Sequence, residues 1–63
     1  MDIITDRKKL SKVLEKKSSE ELVEDLMETR KERDEYDGSS SEYYWLSRRV
    51  KTVLVILVSR EMG

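Results

Sequence analysis

Four glutamates in the middle of the chain recur at spacings of three or four residues: Glu21, Glu24, Glu28 and Glu32. On an α-helix this spacing places the carboxylates along one face, and carboxylate oxygens are ligands that Mg²⁺ and Ca²⁺ prefer. Both cations need oxygens that converge on one point, whereas side chains on a single helix face diverge into solvent. We therefore interpret the four glutamates as a solvated face and expect no metal site.

The residue types that most often carry catalysis are missing or lack partners. The chain has neither histidine nor cysteine, so no serine has an imidazole to activate it. Its two glycines, Gly38 and Gly63, are too few for a phosphate-binding loop. We expect a non-enzymatic protein that has no catalytic residue and no cofactor.

Aromatic and basic residues alternate in YYWLSRRVK, residues 43–51, which is the best candidate for contact with nucleic acid. Aromatic rings stack on bases and arginines neutralise phosphates, and residues 7–17 add a second basic patch. The net charge of −1, with nine acids within residues 18–38, is unlike the strongly basic balance of nucleic-acid-binding domains. A nucleic-acid-binding regulator is therefore the alternative function, and it would use the basic first helix with Arg48, Arg49 and Lys51.

Arginines on the apolar side of the predicted second helix have two interpretations. The stems of Arg30 and Arg33 can cover the edge of the core while their guanidinium groups meet water or a nearby carboxylate. We favour this structural role over recognition of an acidic group on a partner. The candidate partner-binding residues are Arg30, Arg33, Tyr44, Trp45, Arg48 and Arg49.

The length of the chain predicts self-association. Residues 1–63 make a single small domain at most, and a domain of this size buries only about 60% of the surface that its unfolded chain exposes. Disulfides, a metal or oligomerisation usually supplement so small a core, and the chain lacks cysteine and histidine. We expect a homo-oligomer, most simply a dimer, that binds another protein as an adaptor, assembly factor or inhibitor.

Helix boundaries are marked by two Ser–Glu pairs with capping-box spacing, Ser18 with Glu21 and Ser39 with Glu42. Gly38, which is suited to the left-handed position after a helix, precedes the second pair. In one continuous helix, the apolar residues before and after residues 17–19 would lie on opposite sides, so we predict a break there. The predicted helices span residues of about 6–16, 19–36 and 41–60, with a turn at 37–40.

The predicted second helix is amphipathic. Its apolar side contains Leu22, Val23, Leu26 and Met27, while Asp25 falls among the glutamates on the solvated side. We expect the apolar side to pack against the last helix.

The final segment contains six consecutive apolar residues, 53–58, and its local preference is for a strand. Six of the nine residues in 50–58 are β-branched, which costs a helix roughly half a kcal/mol each relative to alanine. A strand that is apolar on both faces needs neighbours on both edges, and the only other β-like stretch is DIIT at 2–5. An α+β intertwined dimer with residues 50–58 as a central strand is the alternative to a helix.

We favour an all-α fold in which a short helix precedes an antiparallel helical hairpin, with two copies joined in a dimeric helical bundle. Too few apolar residues occur in a row to span a membrane, and MDIITDRKKL does not resemble a signal peptide, so we expect no membrane contact and a cytoplasmic location. In the last helix, residues 46, 50, 53 and 57 follow the spacing of a coiled-coil seam. The residues predicted to mediate self-association are Leu46, Val50, Val53, Leu54, Ile56 and Leu57.

Overall fold

The computed structural model describes residues 3–62, and this part of the chain contains three α-helices. Helix α1 spans Arg7–Glu15, α2 spans Ser19–Arg33 and α3 spans Ser41–Met62. No strand occurs among these residues. The all-α prediction is confirmed, and the alternative with a central strand at 50–58 is wrong.

Burial explains why the β-branched segment is helical. The local cost of six β-branched residues is about 3 kcal/mol, whereas each fully buried aliphatic side chain contributes about 1.5–3 kcal/mol. As a helix, α3 buries Leu46, Val50 and Val53 together on one side, which we call its inner face. Tertiary burial therefore outweighs local preference.

The break between α1 and α2 is confirmed, and Ser18 caps the second helix as predicted. The Ser18 hydroxyl accepts a hydrogen bond from the Glu21 N–H at 3.2 Å, and the Glu21 carboxylate accepts one from the Ser18 N–H at 3.2 Å. The hydrogen bond from the Ser18 N–H to the Glu21 carboxylate lowers the pKa of Glu21. Asp6 caps α1 in a similar way, because its carboxylate accepts from the N–H groups of Lys8 and Lys9.

Arg60, near the end of α3, binds the residues at the break between α1 and α2. Its Nη2 donates to the backbone oxygens of Glu15 at 3.1 Å and Lys17 at 2.8 Å, while Nη1 donates to the Ser19 hydroxyl at 3.2 Å. An arginine at the end of a helix satisfies free carbonyl groups and complements their partial negative charge. Sequence patterns did not single out this role of Arg60.

The break brings all three helices into one core. Leu10 and Leu14 of α1 pack with Leu22 of α2 and Val53 of α3, and Ile4 covers this cluster from before α1. Two contacts show how α2 and α3 lie relative to each other. Ser19 at the beginning of α2 binds Arg60 near the end of α3, and Arg33 at the end of α2 lies over the ring of Tyr43 near the beginning of α3.

Helix α2 ends at Arg33 rather than near Tyr36, and α3 extends to Met62 rather than about residue 60. The N–H groups after Asp34 donate to carbonyl groups three residues back, which closes tight turns instead of continuing the α-helix. Gly38 does not have a positive φ, so its expected left-handed role is wrong.

The N-terminus of α3 is capped by Ser40 and not by Ser39. The Ser40 hydroxyl accepts from the Tyr43 N–H at 3.2 Å and donates to the Asp37 backbone oxygen at 2.7 Å. Ser39 is unavailable because both its N–H and its hydroxyl bind the Asp37 carboxylate at 3.1 Å. The predicted pairing of Ser39 with Glu42 is therefore displaced by one residue.

Replacing the two serines separately tests this cap. Ser40→Ala should lower the free energy of unfolding by about 1 kcal/mol because an orphan N–H loses its acceptor. Ser39→Ala, the matched control, should lower it by no more than about 0.5 kcal/mol. Urea denaturation followed by circular dichroism measures both, and the reverse order would show that Ser39 is the cap.

Candidate functional site

A buried ion pair joins α2 to α3. Asp25 is only 6% exposed. The Arg49 Nε donates to the Asp25 Oδ1 at 2.8 Å and the Arg49 Nη2 donates to Oδ2, in the two-bond geometry that arginine and carboxylate favour. Lys17 adds a bond to Oδ2 at 3.1 Å, and the Thr29 hydroxyl adds one to Oδ1 at 3.2 Å. The carboxylate therefore has four donors around its two oxygens.

This arrangement fixes the charge of the pair. Burial by itself raises the pKa of Asp25, but hydrogen bonds and charges from Arg49 and Lys17 outweigh burial and hold that pKa at about 2. The hydrogen bond to Asp25 in turn raises the pKa of Arg49. Both groups are ionised at neutral pH, so the cluster is suited to joining helices and not to proton transfer.

The position of Asp25 corrects the predicted faces of α2. The helix turns Leu22, Asp25 and Thr29 inward, whereas Val23 and Met27 are exposed. Because the bonds to α3 fix the rotation of α2, one member of the acidic series lies inside and two apolar residues lie outside.

Arg49 cannot serve the partner-binding role that its sequence context suggests. Its guanidinium group is buried and bound within the chain. The other arginines of the candidate set are Arg30 and Arg33 of α2 and Arg48 of α3. Arg30 is exposed. The Arg33 guanidinium lies over the Tyr43 ring, 5.6 Å from its centre, and among the described residues its buried Nε has no hydrogen-bond partner.

The remaining candidates form a basic aromatic corner where α1 meets α3. Tyr44 and Trp45 pack edge to face, with ring centres 5.1 Å apart. The Arg7 side chain lies beside the Tyr44 hydroxyl and, together with Arg48, lowers the pKa of Tyr44. The nucleic-acid alternative thus loses Arg49, and it keeps Arg48, the exposed Lys51 and the basic first helix, whose Arg7 lies at this corner.

The residues predicted to mediate self-association fall into three groups. Those of the inner face are buried by the chain's own α2 and α1, so a second copy cannot contact them without unfolding the chain. Two others are half-buried at the edge of the core, and one is exposed. In chain order, Leu46, Val50 and Val53 are inner, Leu54 is exposed, and Ile56 and Leu57 lie at the edge.

An exposed apolar surface lies on the side of α3 opposite its inner face. Two of its members, Val55 and Met62, are 62% and 84% exposed. Met62 was absent from the predicted self-association set, although its spacing from Val58 and Val55 could have identified it. We call this surface the outer face; it consists of Lys51, Leu54, Val55, Val58, Ser59 and Met62.

Other kinds of site have little support among residues 3–62. No three carboxylates in this range are grouped so that they could hold a metal ion. None of the three helices has the length and apolar content that crossing a membrane requires. No protein family, curated protein or solved structure matches the chain.

Removing one charge of the buried pair should destabilise the protein severely. Asp25→Asn leaves Arg49 buried without its counter-ion, at an expected cost of about 3–5 kcal/mol, enough to unfold much of so small a domain. Glu28→Gln, the exposed control on the same helix, should change stability by less than about 0.5 kcal/mol.

A paired replacement separates loss of the ion pair from loss of packing. Asp25→Leu combined with Arg49→Met removes both charges and should restore stability to within about 1 kcal/mol of the original. Thermal and urea unfolding of all variants measure this. If the paired variant were as unstable as Asp25→Asn, an unpaired buried charge would not be the cause.

The same cluster predicts a response to acid. Folding lowers the pKa of Asp25 from 3.8 to about 2. Its contribution, about 2 kcal/mol, is therefore present above about pH 4 and is lost as the pH falls towards 2. Urea unfolding across this range should show that loss in the original chain and a smaller one in the paired Leu/Met variant; identical pH profiles would contradict the assignment.

Proposed function

We propose that the chain is a non-enzymatic protein-interaction module that works as a homo-oligomer, most simply a dimer joined through the outer face of α3. The observation that carries this proposal is the continuous exposure of Leu54, Val55, Val58 and Met62 on the same side of one helix. Single exposed apolar residues are ordinary on protein surfaces, whereas a contiguous patch marks a contact site.

The small size of the core favours a second copy as the occupant. Within residues 3–62, the cluster that joins all three helices has four buried aliphatic residues, and one of them, Val53, belongs to the helix that carries the exposed outer face. A second copy supplies an identical apolar surface, which makes a two-fold symmetric contact self-complementary. In this proposal α2 and α3 act as an antiparallel hairpin, and two hairpins form a dimeric bundle.

The area of the patch sets the expected strength. The four exposed apolar side chains offer on the order of 400 Å² per copy, about half the contribution of one partner to a standard stable complex. The dimer should therefore be weak and dependent on concentration. Another protein, for which the chain would be an adaptor, assembly factor or inhibitor, would bind the surface that the dimer leaves free, including Arg30 and Tyr44.

Sedimentation equilibrium over a wide range of concentrations tests the proposal. The original chain should pass from monomer to dimer as its concentration rises. Val58→Glu should weaken the dimer at least about tenfold, because a carboxylate would lose its water in the apolar contact. Val23→Glu, the same substitution at an exposed position on α2, is the matched control and should leave the dimer unchanged.

Circular dichroism of both variants must retain the helical signal of the original for this comparison to apply. A chain that stays monomeric at every concentration, or two variants that weaken the dimer equally, would refute the proposed contact.

A further inference from the structure

Charge is distributed unevenly along the side of α3 that faces away from α2. Arg48 and Lys51 lie at one end of this side, and the apolar residues of the outer face extend towards the other end, where the exposed Glu61 precedes Met62 in the sequence. Glu15 of α1 borders the same groove as the two cations. Within residues 3–62, no carboxylate, that of Glu15 included, lies within 4.0 Å of either cation, since both ion pairs of that range involve Asp25.

The same side of the helix carries a second coiled-coil spacing. Residues 48, 51, 55, 58 and 62 follow one another at alternating steps of three and four, as in the seam between two packed helices. The inner face already uses the spacing at 46, 50 and 53 within the chain. Helix α3 is therefore built with one seam for its own chain and another that its own chain leaves open.

We infer that two copies pair through this second seam with their α3 helices antiparallel; this inference rests on the proposed function and specifies its geometry. With the two-fold axis between Val55 and Val58, Val55 packs against the partner's Val58. Lys51 then lies opposite the partner's Met62 and next to the partner's Glu61. The stem of the lysine covers the methionine while its ammonium group meets a carboxylate.

Charge complementarity selects this direction over the parallel one. In a parallel pair, each cation of the seam would face its own counterpart, and like charges opposed across an interface disfavour association. In the antiparallel pair, Arg48 and Lys51 instead approach the C-terminal end of the partner's α3, where the free carbonyl groups carry partial negative charge. The apolar halves of the two seams overlap at the same time.

Because the chain has no cysteine, disulfide cross-linking tests the direction without background. Lys51→Cys and Met62→Cys are prepared as separate proteins and oxidised alone and as a mixture, at concentrations where the original chain is a dimer. A disulfide requires Cα atoms within about 7 Å. In the antiparallel pair the two positions 51 lie about 16 Å apart along the axis, whereas position 51 lies opposite position 62.

The expected result is a mixed disulfide between the two variants, at least tenfold more abundant than either homodimer when quantified by intact mass. Glu28→Cys, exposed on α2, is the control and should cross-link with neither. Efficient homodimers of both variants would establish a parallel pair and overturn the inference while leaving the proposed function intact.

Two further outcomes would overturn the inference. A dimer by sedimentation that yields no cross-link at either position would overturn the contact through α3 altogether. A chain that is monomeric in solution and binds vesicles of anionic lipid would assign the outer face to a membrane surface, and would overturn both the inference and the proposed dimer.

Discussion

The ion pair between Asp25 and Arg49 is the constraint on which the arrangement of α2 and α3 depends. Its two directed bonds fix which side of each helix faces the other, whereas apolar contacts alone tolerate rotation. The surrounding donors make the pair tolerable in the interior, since a buried carboxylate without partners would be strongly unfavourable. The pair thus fixes the rotation of α2 and α3 about their axes, which the few apolar contacts of the core would not fix alone.

The exposed surfaces follow from that register. Once Asp25 faces α3, Val23 and Met27 must face away, and once Arg49 faces α2, Val55 and Val58 must lie on the opposite side of α3. The same interaction that orders the core therefore leaves apolar residues uncovered. Arg60 reinforces the arrangement from the far end of α3 by binding the carbonyl groups at the α1–α2 break.

Local sequence rules predicted the helices, the break and the Ser18 cap because each depends on neighbours within a few residues. They failed where a distant partner decided the outcome. In the sequence, Asp25 resembles its acidic neighbours. Its spacing from Leu22 and Thr29 is compatible with a shared face of α2, but only the contact with Arg49 shows that this face is buried. The Ser40 cap was missed for a different, local reason: the carboxylate of Asp37 accepts hydrogen bonds from both the N–H and the hydroxyl of Ser39, which capping-box spacing does not take into account. The predicted self-association set combined buried and exposed residues of α3, because spacing alone cannot tell which side of the helix packs within the chain.

The proposed dimer offers a physical explanation for the β-branched composition of α3. A helix packed on one side needs only an apolar stripe, and polar residues could occupy the rest without loss. Helix α3 instead keeps valine at positions 55 and 58, where the single chain leaves them in water and where β-branching weakens the helix. In the proposed dimer these valines would be buried against an identical helix that runs in the opposite direction, an arrangement that fits both their spacing and the charges beside them.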